Sequence, residues 1–346
     1  MKYPVEIRRI GDWKLLRSPD YNYDFHLLTG TLLRWGGSKE IDPPMSPVGP
    51  EIADIEIVTG DCSGGCPWCY KSNRSLPGKV MSDITFWKII RKMPPSLTQV
   101  ALGITDLDAN PDLVSIMEIC RTLEIVPNLT ISGLGNLSLI DDVARLAGAI
   151  AVSVYPHNIE QAYDTICYLT EFYPDLQVNA HVLYHRDNVD FVKDVIDGCA
   201  TSPRLSCLGA LVLLGLKPRG RAENMHPLCT EKFKELVSYA MDNGVPLGMD
   251  SCSTPKFLSW MKDNPEASRG MEIFVEPCES SLFSIYINVD GIAYPCSFSE
   301  QVAEGIDIVG ADDFLQDVWY SRSLSSFREC LLHCGRECPV YPEINR

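Results

Sequence analysis

The sequence predicts an α/β protein in which helices cover a parallel sheet, with a small β-element before it and a cysteine-rich segment after it. Three observations lead to this fold class. Apolar runs alternate with amphipathic stretches six or seven times between about residues 52 and 250, which is the pattern of βα units. Residues 1–50 contain only short strand-like runs, and the alternation stops after about residue 265. A chain of 346 residues accommodates these parts, since domains commonly hold about 100–200 residues.

The first 50 residues predict a small β-element. Strand-like runs at residues 13–16 and 25–28 are broken by Gly30 and by the pairs Gly36-Gly37 and Pro43-Pro44. Glycine and proline interrupt strands and mark turns. We therefore predict an N-terminal β-element over residues 1–50 that leads into a main domain over residues 51–264.

Each unit of the main domain combines a strand with a following helix. Ser82 is a suitable N-cap for the first helix. The predicted strands are residues 52–58, 100–104, 129–132, 149–154, 178–183, 208–214 and 245–250. The predicted helices are residues 83–92, 112–123, 137–147, 159–172, 189–196 and 230–243. Whether such a sheet is open or closed into a barrel, its ligands bind at the carboxyl ends of the strands.

The last segment, residues 265–346, predicts a separate small module. Residues 281–289 alternate as a strand does, and Asp290-Gly291 is a strong turn signal. The chain then returns toward Cys296, which predicts a hairpin flanked by Cys278 and Cys296. A module of this size buries little apolar surface and usually needs a metal to hold it together.

Composition excludes several classes of function. A hydrophobic fraction of 45% and a charged fraction of 22% are typical of a globular protein and not of a disordered chain. The formal charge of −16 repels phosphate, so we expect no non-specific binding to nucleic acid or to anionic membrane. The longest apolar stretch, residues 205–216, is shorter than the roughly 20 residues that span a bilayer. The N-terminus lacks the apolar core of a signal peptide, which predicts a cytoplasmic protein.

The cysteine content is unusual for a reducing compartment, with fourteen in all. Cys62, Cys66 and Cys69 fall within eight residues, in the loop after the first strand of the repeated units. Five more crowd the end of the chain: Cys278, Cys296, Cys330, Cys334 and Cys338. Clustered thiols without an export signal favour metal or iron–sulfur ligation over disulfides.

The segment Cys62-Ser-Gly-Gly-Cys66-Pro-Trp-Cys69 closely resembles the CxxxCxxC motif of the radical S-adenosylmethionine (radical SAM) enzymes, in which an aromatic residue precedes the third cysteine. The resemblance covers about residues 52–250 and implies a partial (β/α)6 TIM-like barrel. In that family the three cysteines hold a [4Fe–4S] cluster that leaves one iron open for S-adenosylmethionine (SAM). An electron from a donor such as flavodoxin or ferredoxin cleaves SAM to a 5′-deoxyadenosyl radical, which takes a hydrogen atom from the substrate. A zinc site is the alternative, although zinc normally takes a fourth Cys or His nearby.

The resemblance also implies contacts to SAM by position. The family's second strand ends in Gly-Gly-Glu-Pro, and the corresponding region here contains Gly103, Thr105 and Asp106. Asp106 stands where the family's Glu holds the SAM amino group, and only Gly103 remains of the two glycines. The full implied set is Trp68, Gly103, Thr105, Asp106, Ser132, Ser153, Asn179 and Arg221.

Several of these residues have ordinary structural alternatives. Ser132, Ser153 and Asn179 end later strands, where the family often holds the ribose and the carboxylate of SAM. Each of the three could equally bond its own backbone. Arg221, in Lys217-Pro-Arg-Gly-Arg, could bind a carboxylate of SAM or substrate through two hydrogen bonds, or it could belong to a solvated basic turn.

The spacing of Cys278, Gly291 and Cys296 resembles the start of the SPASM and twitch auxiliary-cluster domains of radical SAM enzymes. It implies one auxiliary [4Fe–4S] cluster, completed by two of Cys330, Cys334 and Cys338. Zinc in a small ribbon is the alternative. Cys252 directly follows the predicted strand 245–250, at the active-site face. It is a candidate hydrogen-atom donor, a candidate cluster ligand or a structural residue.

The resemblance implies oxidative modification of a peptide or protein side chain, as in maturases with such modules. A nucleoside or another small metabolite is the alternative substrate. A non-catalytic iron–sulfur protein for electron transfer or binding is the alternative of another class.

Overall fold

The computed structural model describes residues 3–74 and 77–345, and its strands form two sheets. The smaller sheet is antiparallel, and its four strands pair in chain order. They are β1 (Glu6–Ile10), β2 (Trp13–Arg17), β3 (Asn22–His26) and β4 (Leu32–Trp35). The predicted N-terminal β-element is therefore present.

The larger sheet contains the predicted parallel strands. These are β5 (Ile52–Glu56), β6 (Gln99–Gly103), β7 (Val126–Ile131), β8 (Ala149–Ser153), β9 (Gln177–Tyr184), β10 (Ala210–Gly215) and β11 (Leu247–Met249). Each pairs in parallel with the next along the chain. Within the described residues β11 pairs only with β10, so the sheet does not close into a full barrel. The α/β fold class with a partial barrel is confirmed.

Six helices follow the strands as predicted. They are α1 (Asp83–Ile90), α2 (Leu113–Thr122), α3 (Ile140–Leu146), α4 (Ile159–Phe172), α5 (Val189–Thr201) and α6 (Thr230–Asp242). Ser82 caps α1, because its hydroxyl accepts a hydrogen bond from the main-chain N–H of Thr85 at 3.2 Å. Two further helices, α7 (Thr254–Asp263) and α8 (Arg322–His333), were not predicted.

The C-terminal segment joins the larger sheet. The predicted hairpin is present as β12 (Ser284–Ile287) and β13 (Ile292–Tyr294), followed by β14 (Ile306–Asp307). Strand β12 pairs in parallel with β5, with Ile285 opposite Ala53. The hairpin thus continues the sheet of the main domain instead of forming a sheet of its own. The division of the chain at residues 50 and 264 stays a prediction.

The two faces of the larger sheet differ in burial. On β5, Ala53 and Ile55 are fully buried against the helices, while Asp54 between them is exposed to the interior of the partial barrel. Burying a side chain such as that of Ile55 stabilises the fold by about 1.5–3 kcal/mol. The helix-facing residues of β5 therefore belong to the core. None of the described helices is both long and apolar enough to cross a membrane.

Candidate functional site

The loop after β5, at the carboxyl edge of the sheet, brings three cysteines together. The thiols of Cys62, Cys66 and Cys69 interact electrostatically with one another. The thiol of Cys66 donates a hydrogen bond to the sulfur of Cys69, which lowers the pKa of Cys69 and raises that of Cys66. Burial raises the pKa of Cys62. The loop therefore favours a thiolate at Cys69, and thiolates are the form that binds metals.

Neighbouring strands hold this loop in place. The imidazole Nε2 of His157, after β8, lies 2.8 Å from the main-chain oxygen of Gly64. The carboxylate of Asp106, after β6, accepts hydrogen bonds from the main-chain N–H and the hydroxyl of Ser63, both at 2.9 Å. Asp106 thus contacts the loop itself, and its implied contact with SAM stays a prediction.

The segment after β10 packs directly on the cysteine loop. A Cβ on Gly220 would lie 2.6 Å from the main-chain oxygen of Cys69 and 2.4 Å from that of Tyr70. This contact, together with a φ of +61°, requires glycine. The next residue, Arg221, donates its main-chain N–H to the oxygen of Cys69 at 3.0 Å. Its guanidinium donates to the main-chain oxygen of Asn73 at 3.0 Å. Arg221 therefore packs on the cysteine loop and does not lie in a solvated turn, and its implied contact with SAM stays a prediction.

Four more of the implied SAM contacts lie near the loop. The thiol of Cys62 donates to the main-chain oxygen of Thr105 at 4.0 Å. Trp68 is 8% exposed, and its ring meets that of Tyr155 edge to face at 5.7 Å. Ser132 and Ser153 are buried, and their main-chain oxygens accept hydrogen bonds from the side chain of Asn158 at 2.6 and 2.9 Å.

The structure corrects the placement of Asn179. This residue is the third of the eight in β9, so it lies near the amino end of that strand and not at its carboxyl end. Its side-chain oxygen would lie 2.8 Å from a Cβ on Gly209, which precedes β10. Because β5 to β11 all run in the same direction, the start of β9 lies at the edge of the sheet opposite to the one that carries the cysteine loop. Gly103 ends β6 as expected. It packs closely on the backbone of Glu56, because a Cβ on Gly103 would lie 3.1 Å from Cα of Glu56.

The residues around the cysteine loop fit an iron–sulfur cluster with an organic ligand. Two buried polar atoms beside the loop, the hydroxyl of Thr105 and Nε of Arg221, have no hydrogen-bond partner among the described residues. Buried polar groups are normally satisfied, so both are open to a bound ligand. No three His, Cys, Asp or Glu side chains in the described part of the chain are arranged to hold a single metal ion. A cluster differs from a single ion, because its thiolates bind separate iron atoms.

Four other cysteines surround one cavity. A space of about 270 Å³ between β5, the end of β11 and the C-terminal segment is lined by Cys252, Cys278, Cys296 and Cys338. The thiols interact electrostatically, Cys252 with Cys278 and Cys338, and Cys296 with the same two. Burial raises the pKa of Cys296 to about 11 and also raises the pKa of Cys252 well above its usual value. The sequence analysis gave all four as candidate ligands, and the structure places them around this cavity. Their role as ligands stays a prediction.

Cys330 and Cys334 lie elsewhere. Both are exposed at the end of α8, where they interact with each other and do not line the cavity. The sequence analysis expected two of the three last cysteines beside Cys278 and Cys296, but of the three only Cys338 lines the cavity. The helical spacing explains this, because residues four apart on α8 face the same side of the helix.

Sequence analysis missed a charged network that connects the cysteine loop to the C-terminal segment. Lys71 lies 3.1 Å from a carboxylate oxygen of Glu56 and 2.6 Å from one of Glu300. Its ammonium also donates to the hydroxyl of Tyr286 at 2.7 Å. These residues are far apart in sequence and belong to no motif, so no local signal could have found them.

Comparison with known proteins shows which fold this is. No protein-family model matches the sequence, and no curated protein matches it either. The solved structure of SuiB from Streptococcus suis bound to S-adenosylmethionine matches over 86% of this chain and 76% of that chain, with a TM-score of 0.66 and 14% identity. SuiB bound to the precursor peptide SuiA matches over 81% of this chain and 66% of that chain, with a TM-score of 0.63 and 15% identity.

The chain has the fold of SuiB. It spans about two thirds to three quarters of the length of the SuiB chains. The fold that was expected from the sequence is thus confirmed.

Proposed function

We propose that the chain is a radical SAM enzyme of the maturase type, which removes a hydrogen atom from a side chain of a peptide or protein. The observation that carries the proposal is the cysteine loop. Cys62, Cys66 and Cys69 lie side by side at the carboxyl end of β5, the edge at which such sheets bind ligands. The SuiB fold supports it, because SuiB has been solved with bound SAM.

In this proposal the three thiolates hold a [4Fe–4S] cluster. When bound, the cluster and SAM supply an electron and a 5′-deoxyadenosyl radical that abstracts hydrogen. The residues of the chain position these groups and keep water away. Arg221 and Thr105 offer their unpartnered polar atoms to SAM, and the rings of Trp68 and Tyr155 form an apolar wall.

We further propose that Cys252, Cys278, Cys296 and Cys338 hold one auxiliary [4Fe–4S] cluster. The support is their position around one cavity, which gives the four thiolates that such a cluster takes. Cys252 is then a ligand and not a hydrogen-atom donor. Cys330 and Cys334 are left outside the ligand set, since they are exposed at the end of α8.

A peptide substrate is supported by the SuiB complex with its precursor peptide and by a groove in this chain. The groove encloses about 920 Å³ beside β11 and is lined mainly by apolar side chains, among them Met249, Phe257 and Phe274. It shares Ser251 and Glu279 with the cavity of the four thiols. An extended peptide in this groove would therefore run toward the proposed auxiliary cluster.

The test is anaerobic reconstitution of the wild-type chain and of a variant with Cys62, Cys66 and Cys69 changed to Ala. Iron and sulfide are counted per chain, and 5′-deoxyadenosine is assayed with SAM and dithionite. We expect about eight irons in the wild type and about four in the variant. Nucleoside formation should occur only in the wild type.

Other results would contradict specific parts of the proposal. About four irons in the wild type, with nucleoside formed, would remove the auxiliary cluster. Zinc without iron would remove the radical SAM function altogether. The substrate class is tested by mass spectrometry of cell extracts incubated with the enzyme. Mass changes in small metabolites, without changes in peptides, would show that the substrate is a small metabolite and not a peptide.

A further inference from the structure

Lys217 is a buried cation that the proposed function does not use. It follows β10, is 7% exposed, and forms an ion pair with the carboxylate of Asp250. Asp250 is itself held by the main-chain N–H groups of Ser253 at 3.2 Å and Gly215 at 3.4 Å. The ammonium also lies 5.2 Å from the centre of the Phe298 ring. These contacts fix the charge at one place.

That place is the cavity of the four thiols. Lys217 interacts electrostatically with Cys252 and Cys338, and it is the only Lys or Arg among the described residues that line this cavity. The same lining contains three carboxyl groups, those of Asp54, Asp250 and Glu279. A group held by the thiolates would thus meet Lys217 beside these three carboxyl groups in the lining of the cavity.

We propose that Lys217, held by Asp250, is a positioning residue that raises the reduction potential of the cluster bound by Cys252, Cys278, Cys296 and Cys338. The inference rests on the proposed auxiliary cluster. Adding an electron makes a cluster more negative, so a nearby fixed cation stabilises the reduced state and carboxylates destabilise it. Groups next to metal ligands tune potentials in this way. Without Lys217, the carboxylate of Asp250 would face the cluster unpaired.

The test is a potentiometric titration followed by electron paramagnetic resonance. It uses the full chain with Cys62, Cys66 and Cys69 changed to Ala, so that only the second cluster contributes. Lys217→Met should make reduction at least tenfold less favourable, which is a fall of about 59 mV for one electron. Lys217→Arg keeps the charge, so its equilibrium constant for reduction should stay within threefold of the value with Lys217. Asp250→Asn frees the ammonium and should shift the potential upward.

Lys14→Met is the matched control, because Lys14 is also a buried lysine but lies in the N-terminal sheet. The midpoint potential of this control should equal that of the chain in which only Cys62, Cys66 and Cys69 are changed to Ala. About four irons per chain with an unchanged midpoint in Lys217→Met would overturn the inference and leave the proposed function standing. No iron in the chain with Cys62, Cys66 and Cys69 changed to Ala would overturn the inference together with the proposed auxiliary cluster, and it would leave the radical SAM function to the iron and nucleoside assays of the wild type. If Lys217→Met does not fold, Lys217→Gln takes its place, and an unchanged midpoint potential in that variant overturns the inference.

Discussion

The imidazole Nε2 of His157 lies 2.8 Å from the main-chain oxygen of Gly64, between the first two cysteines of the loop. The ring also stacks on that of Tyr155, with 5.5 Å between ring centres. His157 thus connects the loop after β5 to the end of β8. A net hydrogen bond stabilises a structure by about 1 kcal/mol, so the loop depends measurably on this contact.

We predict that His157→Ala releases iron from the first cluster about fivefold faster to a chelator, which corresponds to about 1 kcal/mol. His157→Gln retains a hydrogen-bond donor, so its rate of iron release should lie between those of His157→Ala and the wild type. His226→Ala, at an exposed position, is the control and should match the wild type. Equal release from the His157→Ala and His226→Ala variants would show that the contact does not support the loop.

Gly220 makes the second contact with the cysteine loop. We predict that Gly220→Ala lowers the free energy of unfolding by more than Gly244→Ala, measured by urea titration. Both glycines have a positive φ, +61° and +68°, but only Gly220 would place a Cβ against backbone atoms, whereas Gly244 has nothing within 4 Å. Gly244→Ala should cost about 1–2 kcal/mol for the left-handed conformation alone. Equal losses of unfolding free energy in the two variants would mean that the segment after β10 does not pack closely on the cysteine loop.

The second ligand set can be tested one cysteine at a time. We predict that Ser in place of Cys252, Cys278, Cys296 or Cys338 lowers the iron content from about eight to about four per chain. Ser in place of Cys330 or Cys334 should leave it at about eight, because both are exposed at the end of α8. Loss of iron in the Cys330 or Cys334 variant, with full iron in the Cys252 variant, would restore the ligand set that the sequence predicted.

Local signals in the sequence predicted the local structure. The cap at Ser82 and the whole of α4 (Ile159–Phe172) follow from neighbouring residues, as does the turn at Asp290-Gly291. The cysteine loop could be found for the same reason, since its ligands are only three and two residues apart. Such features depend on short-range hydrogen bonds and periodicity.

Contacts between distant segments could not be predicted in this way. The parallel pairing of β12 with β5 joins residues more than 200 positions apart, and no turn signal marks it. The same applies to the meeting of Cys252 with Cys338 at one cavity and to the ion pair of Lys71 with Glu300. These contacts arise only when the sheet is assembled, because topology and not spacing brings the residues together.

Lys14 lets the stability of the fold be tested through pH. It is 5% exposed on β2, and its ammonium donates to the main-chain oxygen of Leu97 at 2.7 Å, which joins the N-terminal sheet to the main domain. Burial lowers the pKa of Lys14 from 10.5 to about 8. Between these values the unfolded chain binds a proton that the folded chain has released. The free energy of unfolding should therefore rise with pH across this range.

We predict that Lys14→Met removes this rise, which is at most about 3 kcal/mol for a shift of this size. The difference in unfolding free energy between the wild type and Lys14→Met, from urea titrations between pH 7.5 and 10.5, isolates Lys14 because other titrating groups are common to both. The hydrogen bond to Leu97 persists as pH rises, since a neutral amine still donates. Lys88→Met, at an exposed position on α1, should show the same pH dependence as the wild type. A difference between the wild type and Lys14→Met that stays constant with pH would mean that Lys14 keeps its proton in the fold and that burial alone does not control it.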